Sequence, residues 1–150
     1  NIKEENFEKH DSAVKVSGDM FKNIRVAIVD DNKVNLRVAV IQLRQLGVMA
    51  EVFSSGGAII KALERERKYD MIFMDHMMPE MDGIETTKVI RNMASQSCKD
   101  VPIIALTANA VTGVEREYKE AGMNDWMFKP VKLDDFKEIL LKFVSKEKVS

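Results

Sequence analysis

The strongest constraint on this chain is a set of short apolar runs, each ending in a residue that carries charge or a hydroxyl. Val26-Ala27-Ile28-Val29 runs into Asp30 and Asp31, and Met71-Ile72-Phe73-Met74 runs into Asp75. Ile103-Ile104-Ala105-Leu106 runs into Thr107, and Trp126-Met127-Phe128 into Lys129 and Pro130. Apolar runs of this length bounded by turn residues read as strands of a parallel sheet covered on both faces. Residues just past the carboxyl ends of such strands line a common crevice. The chain is therefore expected to gather acids, a hydroxyl and a cation at one rim.

Between the runs lie helical stretches. Helices are expected from about Lys33 to Leu46, stopped by Gly47, and from about Gly56 to Arg67, capped by Ser54 or Ser55. Others are expected from near Gly83 to near Met93, from about Ala110 to Ala121 before Gly122, and from about Leu133 to Val144. In the last, Leu133, Phe136, Ile139, Leu140 and Phe143 share one face, and Asp134 and Asp135 put negative charge in the first turn, where the helix dipole favours it. Strands are expected at Ile24-Val29, Met49-Phe53, Asp70-Met74, Val101-Leu106 and Asn124-Phe128, with Glu51 marking the second as an edge strand and Ala94 to Asp100 a polar loop. Five βα repeats with short connections predict an α/β, flavodoxin-like (βα)5 domain with a five-stranded parallel sheet in the order 2-1-3-4-5. Residues 23–146 are expected to form this domain. Residues 1–22, charged and without a sustained period, read as a linker or tail, and residues 147–150 as a C-terminal tail.

Composition narrows the function classes. A net charge of -1 supplies no basic field for nucleic acid. Cys98, the single cysteine, cannot form an internal disulfide, which fits a reducing, cytoplasmic setting. No apolar stretch approaches the roughly 20 residues that span a bilayer, so no direct membrane contact is expected, and no signal peptide is visible. The first residue is not Met, which suggests a piece of a longer protein or a trimmed form.

The topology would bring Asp30, Asp31 and Asp75 within a few ångströms of one another. A single Asp at a strand end is commonly a turn or cap residue, but three at neighbouring strand ends repel. Two carboxylates about 4 Å apart cost roughly 4 kcal/mol at an effective dielectric near 20. Such a cluster needs a proton, a cation or both. All-oxygen ligands without His or Cys favour magnesium, with manganese possible, over zinc. A metal held by few carboxylates keeps positions open for phosphate oxygens. Lys129 can neutralise another oxygen, Thr107 can donate to a third, and a carboxylate oxygen of Asp75 is left as nucleophile, forming an acyl phosphate.

Val29-Asp30-Asp31-Asn32, the segment Met74-Asp75-His76-Met77-Met78-Pro79-Glu80-Met81-Asp82-Gly83, Leu106-Thr107-Ala108 and Lys129-Pro130 resemble the response-regulator receiver domain of two-component signalling. The resemblance covers roughly Asn23 to Lys146. It implies that Asp75 is the phosphoacceptor, and that Asp31, Asp75 and the Met77 backbone carbonyl ligate magnesium while Asp30 acts largely through water. It implies further that Thr107 and Lys129 bind the phosphoryl group and that the Lys129-Pro130 bond is cis. Trp126 stands at the family's switch position, where Tyr or Phe is more usual. There Thr107 would move toward the phosphoryl group with Trp126 turning inward behind it, and the larger indole predicts a partial shift.

Asn32-Lys33-Val34-Asn35 resembles the start of the first helix in receivers of hybrid sensor histidine kinases, which suggests the receiver at the C-terminal end of such a kinase. The partner implied is the dimerisation domain of a histidine kinase or a histidine phosphotransfer domain, docking near the first helix and the rim. Two other readings stay open. One is a magnesium-dependent aspartyl phosphotransferase or phosphatase, although Met77 stands where such enzymes usually carry a second acid. The other is a degenerate receiver or flavodoxin-like binding module, although Asp30-Asp31-Asn32 replaces the Gly-rich phosphate loop and Gly56-Gly57 is too short a signal. His10 reads as a solvated tail residue. His76 should point away from Asp75, either into packing or toward a partner. Met77 and Asn109 flank the path of hydrolytic water in the family. Met77 cannot orient that water by a strong hydrogen bond, which predicts a long-lived phosphoryl group. The ten methionines are read as packing residues.

Overall fold

A computed structural model describes residues 21–108 and 113–144. The elements follow in the order β1 (Arg25–Val29), α1 (Lys33–Gln45), β2 (Met49–Phe53), α2 (Gly56–Glu64), β3 (Met71–Asp75) and α3 (Gly83–Arg91). They continue with α4 (Gln96–Asp100), β4 (Ile103–Thr107), α5 (Val114–Ala121), β5 (Asp125–Phe128) and α6 (Leu133–Phe143). The strands form one sheet in the order β2-β1-β3-β4-β5, and every pairing is parallel. This is the flavodoxin-like α/β arrangement, with β2 at one edge, where Glu51 is only half-buried.

Side chains of a strand alternate between faces, so each apolar run feeds two cores. Val26, Ile28, Met71, Phe73, Ile104, Leu106 and Met127 pack with Leu36 and Leu43 of α1 and Phe136 and Leu140 of α6. Phe73 and Phe136 meet edge to face with centroids 5.0 Å apart, a favoured aromatic geometry. Ala27, Val29, Ile72, Met74, Ile103 and Ala105 pack on the other side with Ile59 and Leu63 of α2, Ile90 of α3 and Tyr118 of α5. Continued past the strand ends, this parity sends Asp30, Asp75 and Lys129 toward the α1/α6 layer. It sends His76 and Thr107 toward the α2/α3/α5 layer.

Several boundaries differ from the sequence expectation. The stretch expected as a polar loop contains α4, whose first turn is capped by Ser95 (Oγ accepts from Ser97 N at 3.2 Å) and which turns Cys98 into the core. A five-residue helix is too short to show a period. Helix α2 ends at Glu64 rather than near Arg67 because the chain turns at Glu66 (φ 66°) and sends Arg67 and Tyr69 to the Glu51 carboxylate on β2. Strand β4 starts at Ile103, after Pro102, which has no N–H to give to a ladder, and extends through Thr107. Strand β3 likewise runs from Met71 through Asp75. Helix α6 begins with the backbone N–H of Lys132 donating to Asp135 Oδ2 at 3.0 Å, so an acid in the first turn ties down the start that Lys132 cannot cap. Phe21, placed at the end of the tail by its sequence neighbours, is fully buried in the α1/α6 core. His10, Asn109 and the expected start of the fourth helix at Ala110 lie outside the described residues.

Candidate functional site

Asp30 directly follows β1, and its N–H still donates to Phe53 O at 3.0 Å, which keeps it in the sheet. Its side chain is 1% exposed. Oδ1 accepts from the N–H of Asn32 at 2.9 Å and Oδ2 from Asn35 Nδ2 at 3.3 Å. Asn32 in turn caps α1 by accepting from Asn35 N at 3.0 Å. The turn that starts the helix thus also fixes the buried carboxylate. Sequence reasoning missed this role of Asn35; its signal is its place one turn into the helix that Asn32 opens.

Asp31 is exposed beside Asp30, and Asp75 closes β3, buried. One carboxylate oxygen from each of Asp30, Asp31 and Asp75 lies within 4.8 Å of the others. The donor set is oxygen only, with two members buried and the third open to solvent, and so it suits a small hard divalent ion that retains water. Gly83 makes this possible from below. A Cβ there would lie 2.3 Å from the Asp75 backbone oxygen, so only glycine allows the start of α3 to pack on the end of β3. The loop between them is tied by Gly83 N donating to His76 O at 2.9 Å and by a reciprocal Asp82–Glu85 cap. Met77 sits in this loop and is 69% exposed.

Lys129 reaches across from β5. Its Nζ lies 2.8 Å from Asp75 Oδ1 and 3.2 Å from Asp30 Oδ2. The Lys129–Pro130 peptide bond is cis. Burial pushes the Asp75 carboxyl up to about 6, with the Asp30 charge adding to the rise and the Lys129 contact opposing it. For Lys129, burial favours the neutral amine, but the hydrogen bond and charge of Asp75, with those of Asp30, outweigh it and hold the ammonium above its ordinary value. The cation therefore stays charged while the carboxylate it faces is readily neutralised.

Thr107 ends β4, buried, on the opposite side of the sheet from the acids by strand parity. On that side Tyr118 of α5 forms a junction. Its hydroxyl lies 2.9 Å from His76 Nδ1. The His76 and Tyr118 rings meet edge to face, with centroids 5.3 Å apart. Trp126 on β5 is half-buried against the same core, with its ring centroid 6.3 Å from that of Tyr118. His76 does point away from Asp75, and what it meets is Tyr118. Burial raises the Tyr118 phenol above its ordinary value. Tyr118 has no signal in the sequence because nothing local pairs it with His76, 42 residues away.

Residues 26–141 match the response regulator receiver domain family. The hybrid signal transduction histidine kinase K of Dictyostelium discoideum is 35% identical over 78% of this chain, which spans 10% of that protein. The sensor protein GacS of Pseudomonas syringae pv. syringae is 34% identical over 79% of the chain, which spans 13% of it. Among solved structures, the receiver domain of sensor histidine kinase PA1611 from Pseudomonas aeruginosa is 38% identical, with a TM-score of 0.72. That alignment covers 80% of this chain and 96% of the other, and the structure is described with a magnesium ion coordinated in its active-site cleft. The buried acids, the bridging lysine and the sheet order agree with this match: the chain belongs to the response regulator receiver domain family of two-component signalling.

Proposed function

We propose that this chain is a phosphoacceptor switch in which Asp75 takes a phosphoryl group from a phosphohistidine in a magnesium-dependent transfer. The observation that carries the reading is the bridge made by Lys129 Nζ between Asp75 and Asp30 inside an all-oxygen acidic cluster. In the transfer the phosphorus–nitrogen bond of the donor breaks, a phosphorus–oxygen bond to an Asp75 carboxylate oxygen forms, and the imidazole leaves with a proton. Asp31, Asp75 and the Met77 carbonyl would hold the ion, and Asp30 would act through water. When bound, magnesium or manganese offsets the charge of the acids and of the incoming phosphoryl oxygens. Lys129 is placed to follow an oxygen from carboxylate to phosphoryl group, and Thr107 supplies a hydroxyl donor, with Trp126 as the responding aromatic. Catalysis here is positioning and charge stabilisation.

The donor fits a helical partner, the dimerisation domain of a histidine kinase or a histidine phosphotransfer domain. Val34, Val38 and Ile41 of α1 are 64%, 45% and 51% exposed and fall on one stripe next to the rim. The relatives carry matching stretches inside histidine kinases, which supports a receiver working as part of a hybrid kinase, with residues 23–146 as the domain. Among the described residues no helix is long and apolar enough to cross a membrane. The test is intact mass after incubation with magnesium and acetyl phosphate, beside Asp75→Asn. One added phosphoryl group per chain, lost in the variant and with EDTA, is expected. Adduct on another residue, or continued turnover of donor beyond one equivalent faster than the adduct decays, would overturn the reading.

A further inference from the structure

We propose that Gln42 is a positioning residue for Lys129: its amide ties the loop after the lysine to α1 and so sets where the ammonium meets a phosphoryl group at Asp75. The inference rests on the phosphoacceptor reading above. Gln42 is half-buried on α1, and its Nε2 donates to Val131 O at 3.0 Å, 89 residues away along the chain. A backbone carbonyl only accepts, so this contact depends on the amide nitrogen and not on the apolar part of the side chain. Lys129 carries its charge on a flexible four-carbon stem, so the place of its Nζ depends on where the backbone beneath it is held. On one side of that stem the Lys129 N–H donates to Thr107 O at 2.8 Å. On the other, Pro130 has no N–H to give, and Val131 is held through its carbonyl by Gln42.

Packing alone leaves this loop room to move. A crevice of about 160 Å³ lies between it and α1, lined among others by Val38, Ala39 and Gln42 of α1 and by Lys129, Pro130 and Val131. Atoms that border a void lose the contacts that would hold them in place, so the Gln42 hydrogen bond is the tie that spans the gap. The same face of α1 also fixes the second contact of the lysine. Asn35, two helical turns before Gln42, donates through Nδ2 to Asp30 Oδ2 at 3.3 Å, and Lys129 Nζ lies 3.2 Å from that oxygen. Helix α1 thus holds both the Asp30 oxygen and the loop from which the ammonium approaches it. The groups assigned to the ion, Asp31, Asp75 and the Met77 carbonyl, follow or end β1 and β3 and do not belong to this loop. Loss of the Gln42 amide should therefore disturb the phosphoryl position and spare the metal position.

The test compares the full chain with Gln42→Met, which keeps the length of the side chain and removes the donor, and with Lys129→Ala. Trp126 emission follows titration with magnesium alone and then with beryllofluoride, a mimic of the phosphoryl group, and intact mass follows labelling by saturating acetyl phosphate. Gln42→Met should bind beryllofluoride about fivefold more weakly and label slower by a similar factor, within the range that loss of one net hydrogen bond allows. Its magnesium affinity should equal that of the parent. Lys129→Ala should show the same split in stronger form. A packing role alone would lower the urea midpoint and leave beryllofluoride binding and labelling at parental values. Parental values for both in Gln42→Met, or a parallel loss of magnesium affinity, would overturn the proposal while leaving the phosphoacceptor reading intact. Neither adduct nor beryllofluoride response in the parent would remove both.

Discussion

Substituting Asp75 by Asn should make the metal-free chain more stable, and the size of the effect follows from the site. Asp75 is 4% exposed, and its carboxyl is raised from an ordinary 3.8 to about 6 by burial and by Asp30. A raised carboxyl binds its proton more tightly in the folded chain than in the unfolded one. Its contribution to stability is therefore complete below the unfolded value and is lost as pH rises through the folded value. At about 1.36 kcal/mol for each pH unit of that rise, the ionised Asp75 costs about 3 kcal/mol near neutral pH. Asn carries no such cost, so it should be more stable than Asp by up to about 3 kcal/mol at pH 7 and by about 1 kcal/mol at pH 4.5. For a domain of this size the neutral-pH gap corresponds to roughly 10 °C in Tm.

The assay is urea and thermal unfolding of both chains in EDTA at the two pH values, then with magnesium. Magnesium at about 100 times its dissociation constant should return roughly 2.7 kcal/mol to the parent and much less to the variant, nearly closing the gap. A variant no more stable than the parent at pH 7 in EDTA would refute the reasoning, as would a gap of the same size at both pH values. The first would mean that Lys129 already neutralises the cluster. The second would trace the gain to amide packing rather than to charge.

Lys129→Ala should act in the opposite sense. It leaves Asp30 and Asp75 buried without their cation, costs about 3 kcal/mol in EDTA by urea titration, and abolishes labelling by acetyl phosphate even where magnesium restores stability. Gly83→Ala forces a Cβ onto the Asp75 backbone oxygen, 2.3 Å away, and should cost about 2 kcal/mol and weaken magnesium binding about tenfold in a Trp126 fluorescence titration. Below about pH 6 magnesium affinity should fall with pH, because protons compete for Asp75, and the same titration in stepped buffers reads this. The phosphoryl group should be long-lived, since Met77 offers hydrolytic water no strong hydrogen bond, and Met77→Asn should shorten its lifetime severalfold in a mass-spectrometric time course.

What could be read from the sequence follows from how each residue is specified. Asp30, Asp75 and Lys129 end runs whose alternation is dictated by burial on two faces, so strand number and strand end together place them at one rim. The cluster within 4.8 Å is the consequence of that sheet order. The short helix at Gln96–Asp100 and the early end of α2 at Glu64 were not legible, because a single turn has no period and the second depends on the Glu51–Arg67–Tyr69 contact between distant elements. Tyr118 shows the same limit at the site. Its position marks it only as a core residue of α5, and its link to His76 exists because two elements meet in three dimensions. The alternation that exposes one half of the site also explains the other half. If Asp75 faces α1 and α6, then the next residue, His76, must face α5, and a change in the loop that begins there acts on both layers at once. The acid cluster and the Tyr118–His76 contact are therefore two sides of one strand end.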